Sequence, residues 1–437
     1  MTWRLNTCCG ITIRGTAFFL AAWMLVSCDI VQSQTIRDIG TDSRLSGNSE
    51  TVSPLQKSFD QPDPSVFEAL LQSGIKAPTG GWDTWIWKAF KMRDIRKMRI
   101  LLSHGVRPSS PARPGFSMVE IAARTGQTGM VKLLLDYGCP PGQALWIACA
   151  RGDSQLVEVL LASGATPTST RFPSKDTPLS TVIRLRYDAV ALKLLEYGAD
   201  PKLAIPEGQS TLHFAVVMGC PLTVKHLLDA GENPNAPFAQ PVSPAFFRLF
   251  RPGAMRWMLK MDRNPTLLMA AADVGNIQTA RYLIQAGAKK TPRTRTPGMW
   301  AINFAANRGD VRMMRLLLGQ DPYHEDRIIE ISLSQQKAVM FDHEGKEIFK
   351  TKVSTGKRGF STPAGEYVIT NKHRDWTSTL YHASMPYFQR LSCADFGMHQ
   401  GVVPDYPASH GCIRVPAANA VKLFGVTQVG DRVRILK

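Results

Sequence analysis

The chain lacks the marks of several common classes. Its most apolar early run, Thr16 to Val26, is too short to cross a bilayer as a helix, which takes about 20 residues. No compact Lys/Arg run, zinc-finger spacing or RNA-binding signature occurs, so no nucleic-acid partner is expected despite a formal net charge of +17. That charge suits anionic lipid headgroups or a carboxylate-rich polymer, or simply a solvated basic surface. Cysteines are few and uneven. Of eight, Cys8, Cys9 and Cys28 lie in or at the end of the early apolar segment. The other five (Cys139, Cys149, Cys220, Cys393 and Cys412) are odd in number and irregular in spacing, which excludes a disulfide framework. Asp, Glu and His show no metal-ligand spacing, so a metal-free site is expected. What is present is 437 residues, 44% hydrophobic and 20% charged, a globular composition long enough for two to four domains.

Arg4 and Arg14 precede the apolar run, which ends in Leu25-Val26-Ser27-Cys28. Positive charge before a short apolar core is the pattern of an export signal. The ending resembles the bacterial lipobox, which implies a signal over residues 1–27 and a lipid chain on Cys28. A membrane-anchored protein of the cell envelope, facing the periplasm, follows as the expected location. Residues 28–63 are polar and aperiodic and read as a flexible tether.

Residues 64–322 carry a recurring phrase, a leucine-rich helix end closed by glycine. It ends at Gly74, Gly105, Gly138, Gly164, Gly198, Gly231, Gly287 and Gly319, at intervals of 31, 33, 26, 34, 33, 56 and 32. A period near 33 with Thr211-Leu212-His213-Phe214-Ala215 resembles the ankyrin repeat. Each unit pairs a small Ala-rich helix with a leucine helix, and only stacking buries its apolar face. The 56-residue interval holds Ala245-Phe246-Phe247 and Met255–Met261, read as a worn repeat with an inserted loop. His213 is expected to be structural, and Trp82, Trp85 and Trp87 to be packing residues. The array is expected to bind or space, with a protein as its possible partner.

Past Asp321-Pro322 the texture becomes β. Strands are expected at 328–333, 338–341, 347–353, 365–370, 396–399 and 432–436, with a helix at 416–424 opened by proline. A compact, mostly β domain over 323–437 follows. Its chemistry gathers in HQGVVPDYPASHGCIR, His399 to Arg414. Only a few per cent of an ordinary thiol is thiolate at neutral pH, and a nearby imidazole can take its proton. A glycine before the nucleophile permits a turn that aims N–H groups at an oxyanion, each contributing roughly 3 kcal/mol. The set suits acyl transfer through a thioester.

The residues His399 and Ser409-His410-Gly411-Cys412-Ile413-Arg414, with Val353-Ser354-Thr355-Gly356, Thr362-Pro363-Ala364-Gly365, Met385-Pro386-Tyr387 and Val429-Gly430-Asp431, stand in the order of the YkuD-type L,D-transpeptidase family, which this region resembles. The resemblance implies Cys412 as nucleophile and His399 as general base. It gives oxyanion N–H groups to His410, Gly411 and Cys412, and a structural or substrate-orienting place to Ser409 and Arg414. It implies peptidoglycan stem peptides as substrate, crosslinked or joined to a protein, acylation of the cysteine by carbapenems, and no cofactor. His382 and Tyr387 are candidates for the substrate groove or for packing. Cys393 matches no motif and is expected to be a structural thiol. Two rivals remain open: an amidase in which water resolves the thioester, and a non-catalytic scaffold in which the repeats carry the function.

Overall fold

The computed structural model describes residues 54–74, 81–108, 115–170, 176–203, 208–261, 263–295, 298–323, 327–378, 380–392 and 396–437. The expected signal, Cys28 and Cys393 lie outside these residues. The described chain falls into two compact units, residues 54–108 and residues 115–437.

The first unit holds α1 (Pro54–Asp60), α2 (Ser65–Gln72), α3 (Gly81–Lys91) and α4 (Ile95–Ser103). The expected tether is therefore corrected at its end, because α1 is helical and packed. Its Leu55 and Phe59 are four residues apart on one face and both buried. The Phe59 ring meets Phe67 at 5.1 Å and Trp85 at 4.7 Å, both edge-on. Trp85 is buried in this cluster, as a packing residue would be.

In the second unit the helices come in pairs: α5 (Met118–Arg124) with α6 (Thr128–Asp136), α7 (Ala144–Arg151) with α8 (Ser154–Ala162), α9 (Pro178–Arg184) with α10 (Asp188–Glu196), and α11 (Thr211–Met218) with α12 (Pro221–Asp229). They continue as α13 (Pro244–Phe247) with α14 (Ala254–Lys260), α15 (Leu267–Val274) with α16 (Ile277–Gln285), and α17 (Ala301–Asn307) with α18 (Val311–Leu318). The long interval thus holds a shortened helix pair, α13 and α14. First helices are capped by hydroxyls: Ser117 and Glu120 form a reciprocal box on α5, as do Thr177 and Ser180 on α9. Leucine helices end on the recurring glycine, as at Gly164, whose φ of +86° suits glycine. All eight residues of α11 are buried, as a helix flanked on both sides must be. Repeats are also tied by polar bonds. Asp188 of α10 accepts from the N–H groups of Leu222 and Thr223, at 2.7 and 2.9 Å, at the start of α12. His213 is buried, its Nδ1 2.7 Å from Ser210 Oγ and its ring edge-on to Phe238. No described helix is long and apolar enough to cross a membrane.

The C-terminal part is one sheet in the order β3-β2-β1-β8-β4-β5-β6-β7. The strands are β1 (Arg327–Ser332), β2 (Lys337–Asp342), β3 (Glu347–Lys352), β4 (Gly365–His373), β5 (Phe388–Leu391), β6 (Gly397–Gln400), β7 (Ile413–Val415) and β8 (Arg432–Leu436). Helix α19 (Ala417–Val426) follows β7 and buries Ala420 and Leu423. Pairing is antiparallel except for β1 with β8 and β6 with β7. Alternation gives Ile329, Ile331, Met340, Tyr367, Ile369, Val433 and Ile435 to the core. The last repeat adjoins this sheet: α18 lies against β4, and Asn303 Nδ2 donates to Ser392 O at 3.3 Å.

Candidate active site

The site sits at the β6–β7 edge. These strands run parallel, with His399 opposite Arg414 and Met398 opposite Ile413. Met398 and Ile413 are fully buried, so the alternate residues His399 and Arg414 take the other face. Cys412 immediately precedes β7. It stands two residues before Arg414, the register partner of His399. The cysteine is half-buried.

His399 is buried, and its Nδ1 lies 2.7 Å from Gln400 O. A carbonyl oxygen only accepts, so Nδ1 carries the proton and Nε2 holds the lone pair in the neutral ring. Burial holds the His399 pKa below the ordinary imidazole value. The Gln400 bond opposes that shift and the nearby Arg414 charge adds to it. The ring therefore stays neutral, with one nitrogen able to accept a proton.

The turn before β7 is held by two buried hydroxyls. Ser409 Oγ accepts from Gly411 N at 3.1 Å and donates to Cys412 O. Thr362 Oγ1 accepts from Gly356 N and donates to Gly411 O, each at 2.8 Å. The peptides on both sides of Cys412 are thus gripped through their carbonyls. Gly411 has φ +116°, a conformation that L side chains rarely adopt. Beneath, a Cβ on Gly356 would lie 1.9 Å from Phe360 O, so the backbones touch only because that residue is glycine. Ser354, fully buried, exchanges backbone bonds with Arg414 at 2.9 and 3.0 Å, and its Oγ donates to Tyr406 O at 2.9 Å. From the β1–β2 turn, Gln336 donates to Thr355 Oγ1 at 2.7 Å and accepts from Thr355 N at 2.8 Å.

The residues singled out by sequence are distributed as follows. Cys412, His399, Ser409, Gly411 and Arg414 come together. The Gly411 N–H differs from its expected oxyanion place, because it donates to Ser409 Oγ. His410 is exposed, its ring between Phe360 at 4.8 Å and Tyr381 at 4.9 Å. Tyr387 turns its ring onto Phe424 of α19 at 5.6 Å, a packing contact, and its N–H donates to Arg374 O. His382 is exposed, with its N–H bonded to Ser378 O in a turn. Sequence reasoning assigned no role to Thr362, Gln336, Phe360 or Tyr381. Thr362 stood inside a quoted phrase; the other three carried no signal. Among the described residues no three His, Cys, Asp or Glu side chains gather as a metal site.

This architecture is a helical ankyrin-repeat region followed by a sheet-rich L,D-transpeptidase domain. Residues 326–435 match the L,D-transpeptidase catalytic domain, and residues 145–237 match ankyrin repeats in three copies. An ankyrin repeat protein of fowlpox virus is 24% identical over 272 residues, 58% of this chain and 48% of that protein. An L,D-transpeptidase from Mycobacterium smegmatis is similar to 26% of this chain, over 59% of its own, at 19% identity and TM-score 0.25. The human ASB11 ankyrin repeat domain is similar to 53% of this chain, over 96% of its own, at 21% identity and TM-score 0.36. The chain spans less than half the length of the curated relatives it matches.

Proposed function

We propose that the protein is a peptidoglycan L,D-transpeptidase working through a thioester on Cys412. The observation that carries this reading is the pinned His399: its Nδ1 proton is committed to Gln400 O, on the strand beside Cys412. His399 Nε2 takes the thiol proton as Sγ attacks the carbonyl at the L-centre of a diaminopimelate-type residue in a stem peptide. The oxyanion is met by the N–H groups of His410 and Cys412, on either side of the Gly411 N–H that Ser409 Oγ takes. The tetrahedral species collapses as His399 returns the proton to the leaving amine, and the terminal D-amino acid departs. A thioester remains. The amine of a second stem, or of a protein, attacks it while His399 takes the amine's proton. An amide forms and the thiolate leaves.

The lipobox-like ending at Cys28 supports a lipid-anchored place in the envelope, facing the periplasm, where this polymer lies. Ankyrin repeats suit a protein partner. Purified protein incubated with wall fragments provides the test by mass spectrometry. Loss of the terminal D-amino acid with a crosslinked dimer is expected from the parent and absent from Cys412→Ala. Cleavage without transfer would replace this reading with the amidase. Full complementation of cells by Cys412→Ala would replace it with the scaffold.

A further inference from the structure

No run of Lys and Arg marks it, yet residues 241–315 carry thirteen Lys and Arg against three Asp and no Glu. Most of the chain's excess charge therefore lies in the shortened repeat and its two successors. The stretch through α13 and α14 is wholly free of acids. Residues 233–261 hold four cations, Arg248, Arg251, Arg256 and Lys260, and no acid.

Helix α14 buries Met255, Met258 and Leu259. At 100° per residue, Arg256, Trp257, Lys260 and Met261 occupy the opposite arc. That outer arc would ordinarily be polar throughout. Here Trp257 is 38% exposed and Met261 46%, side by side on the arc and next to the two cations. Pro244, Phe247 and Arg248 of the α13 segment line one shallow pocket with Arg256 and Lys260 of α14. The pocket is thus rimmed by three cations around an apolar floor, with no acidic side chain among its lining residues.

We propose that the outer face of α13–α14 docks on an anionic lipid surface. The cations would meet headgroup phosphates, while Trp257, Met261 and Phe247 enter the interfacial layer where aromatic side chains concentrate. An acidic polymer would match the charge but offers no apolar layer to Met261 or to the exposed edge of Trp257, whose ring lies 5.8 Å from the Arg263 guanidinium. A membrane surface uses both. The proposal is independent of the thioester chemistry and of any lipid on Cys28.

The test is hydrogen exchange by mass spectrometry on the full chain, read in peptides covering 244–261, so that any membrane contact elsewhere in the chain does not enter. The probes are phosphatidylcholine vesicles with and without about one third phosphatidylglycerol, and polyglutamate. Expected is protection of 244–261 by the anionic vesicles alone. Each cation near an anionic surface contributes roughly a factor of five. In Arg248→Gln/Arg256→Gln/Lys260→Gln, the lipid needed for half-maximal protection should therefore rise about a hundredfold. Trp257→Ala should weaken protection with the charge kept. All four side chains are exposed or half-buried, and an unchanged melting curve checks the fold. No protection by anionic vesicles, equal protection by neutral ones, or protection by polyglutamate alone would each overturn the proposal.

Discussion

Thr362→Val isolates the clamp on the nucleophile turn. Valine fills nearly the same volume, so the change removes one hydroxyl and little else. Thr362 is 3% exposed, and its hydroxyl bonds Gly356 N and Gly411 O, both at 2.8 Å. Without it, one N–H and one C=O lose their partner where water barely reaches, at about 1–3 kcal/mol each. Partial relaxation brings the sum to about 3 kcal/mol. With m-values of about 1–3 kcal/mol/M, the urea midpoint of the C-terminal sheet should fall by roughly 1–3 M. The chemical effect is separate. Gly411 O belongs to the peptide leading into Cys412, and a shift of about 1 Å in a reacting atom costs on the order of 100-fold. Acylation by a carbapenem, followed as a mass increase on Cys412 in conditions where both proteins are folded, should slow ten- to a hundredfold. A variant with parental midpoint and parental rate would refute the idea that this hydroxyl holds the turn.

Other expectations follow from the same structure. Neutral His399 is the competent base and its pKa is depressed, so acylation should rise with pH through a midpoint below 6.5. Arg414→Gln removes a charge that helps depress it and should move that midpoint upward; an unmoved midpoint would mean that another group limits the rate. Gly356→Ala should prevent the C-terminal sheet from folding, because its Cβ would strike Phe360 O, and circular dichroism with protease resistance would show it. His213 is buried and its pKa is pushed down to about 4. Its unfolded form therefore binds the proton first, so its stabilisation is complete above about pH 6.5 and is lost as pH falls toward 4. About 2 kcal/mol should go between pH 7 and 5. Asp273, pushed up to about 6 by burial, titrates in this range with the opposite sign, so the readout is the difference in urea midpoints from His213→Gln.

The repeat period was legible because each unit ends on the same backbone demand, a glycine after a leucine helix. Helix α1 was not, since its apolar signal is only Leu55 and Phe59 in polar surroundings, too little to show a period. The longer strands β1 to β4 and β8 showed by alternation. Strands β5 and β7 did not: they are four and three residues long, and β7 lies inside the Ser409–Arg414 phrase, where chemistry masks the pattern. Cys412 and His399 stood out because thiol, imidazole and glycine crowd into one short stretch. Thr362 lies 50 residues before Cys412 and Gln336 19 before Thr355. Only the folded sheet brings such pairs together, and nothing in their spacing announces it.

The seam between α18 and β4 bears on how this molecule can be divided. A helical stack leaves raw apolar surface at its final unit unless something polar finishes it. Here the neighbour that finishes it is the sheet carrying Cys412. Cutting near residue 323 would strip both halves at once, leaving an adhesive stack and an enzyme missing one wall. Activity measured on such a fragment would describe a different object from the whole chain.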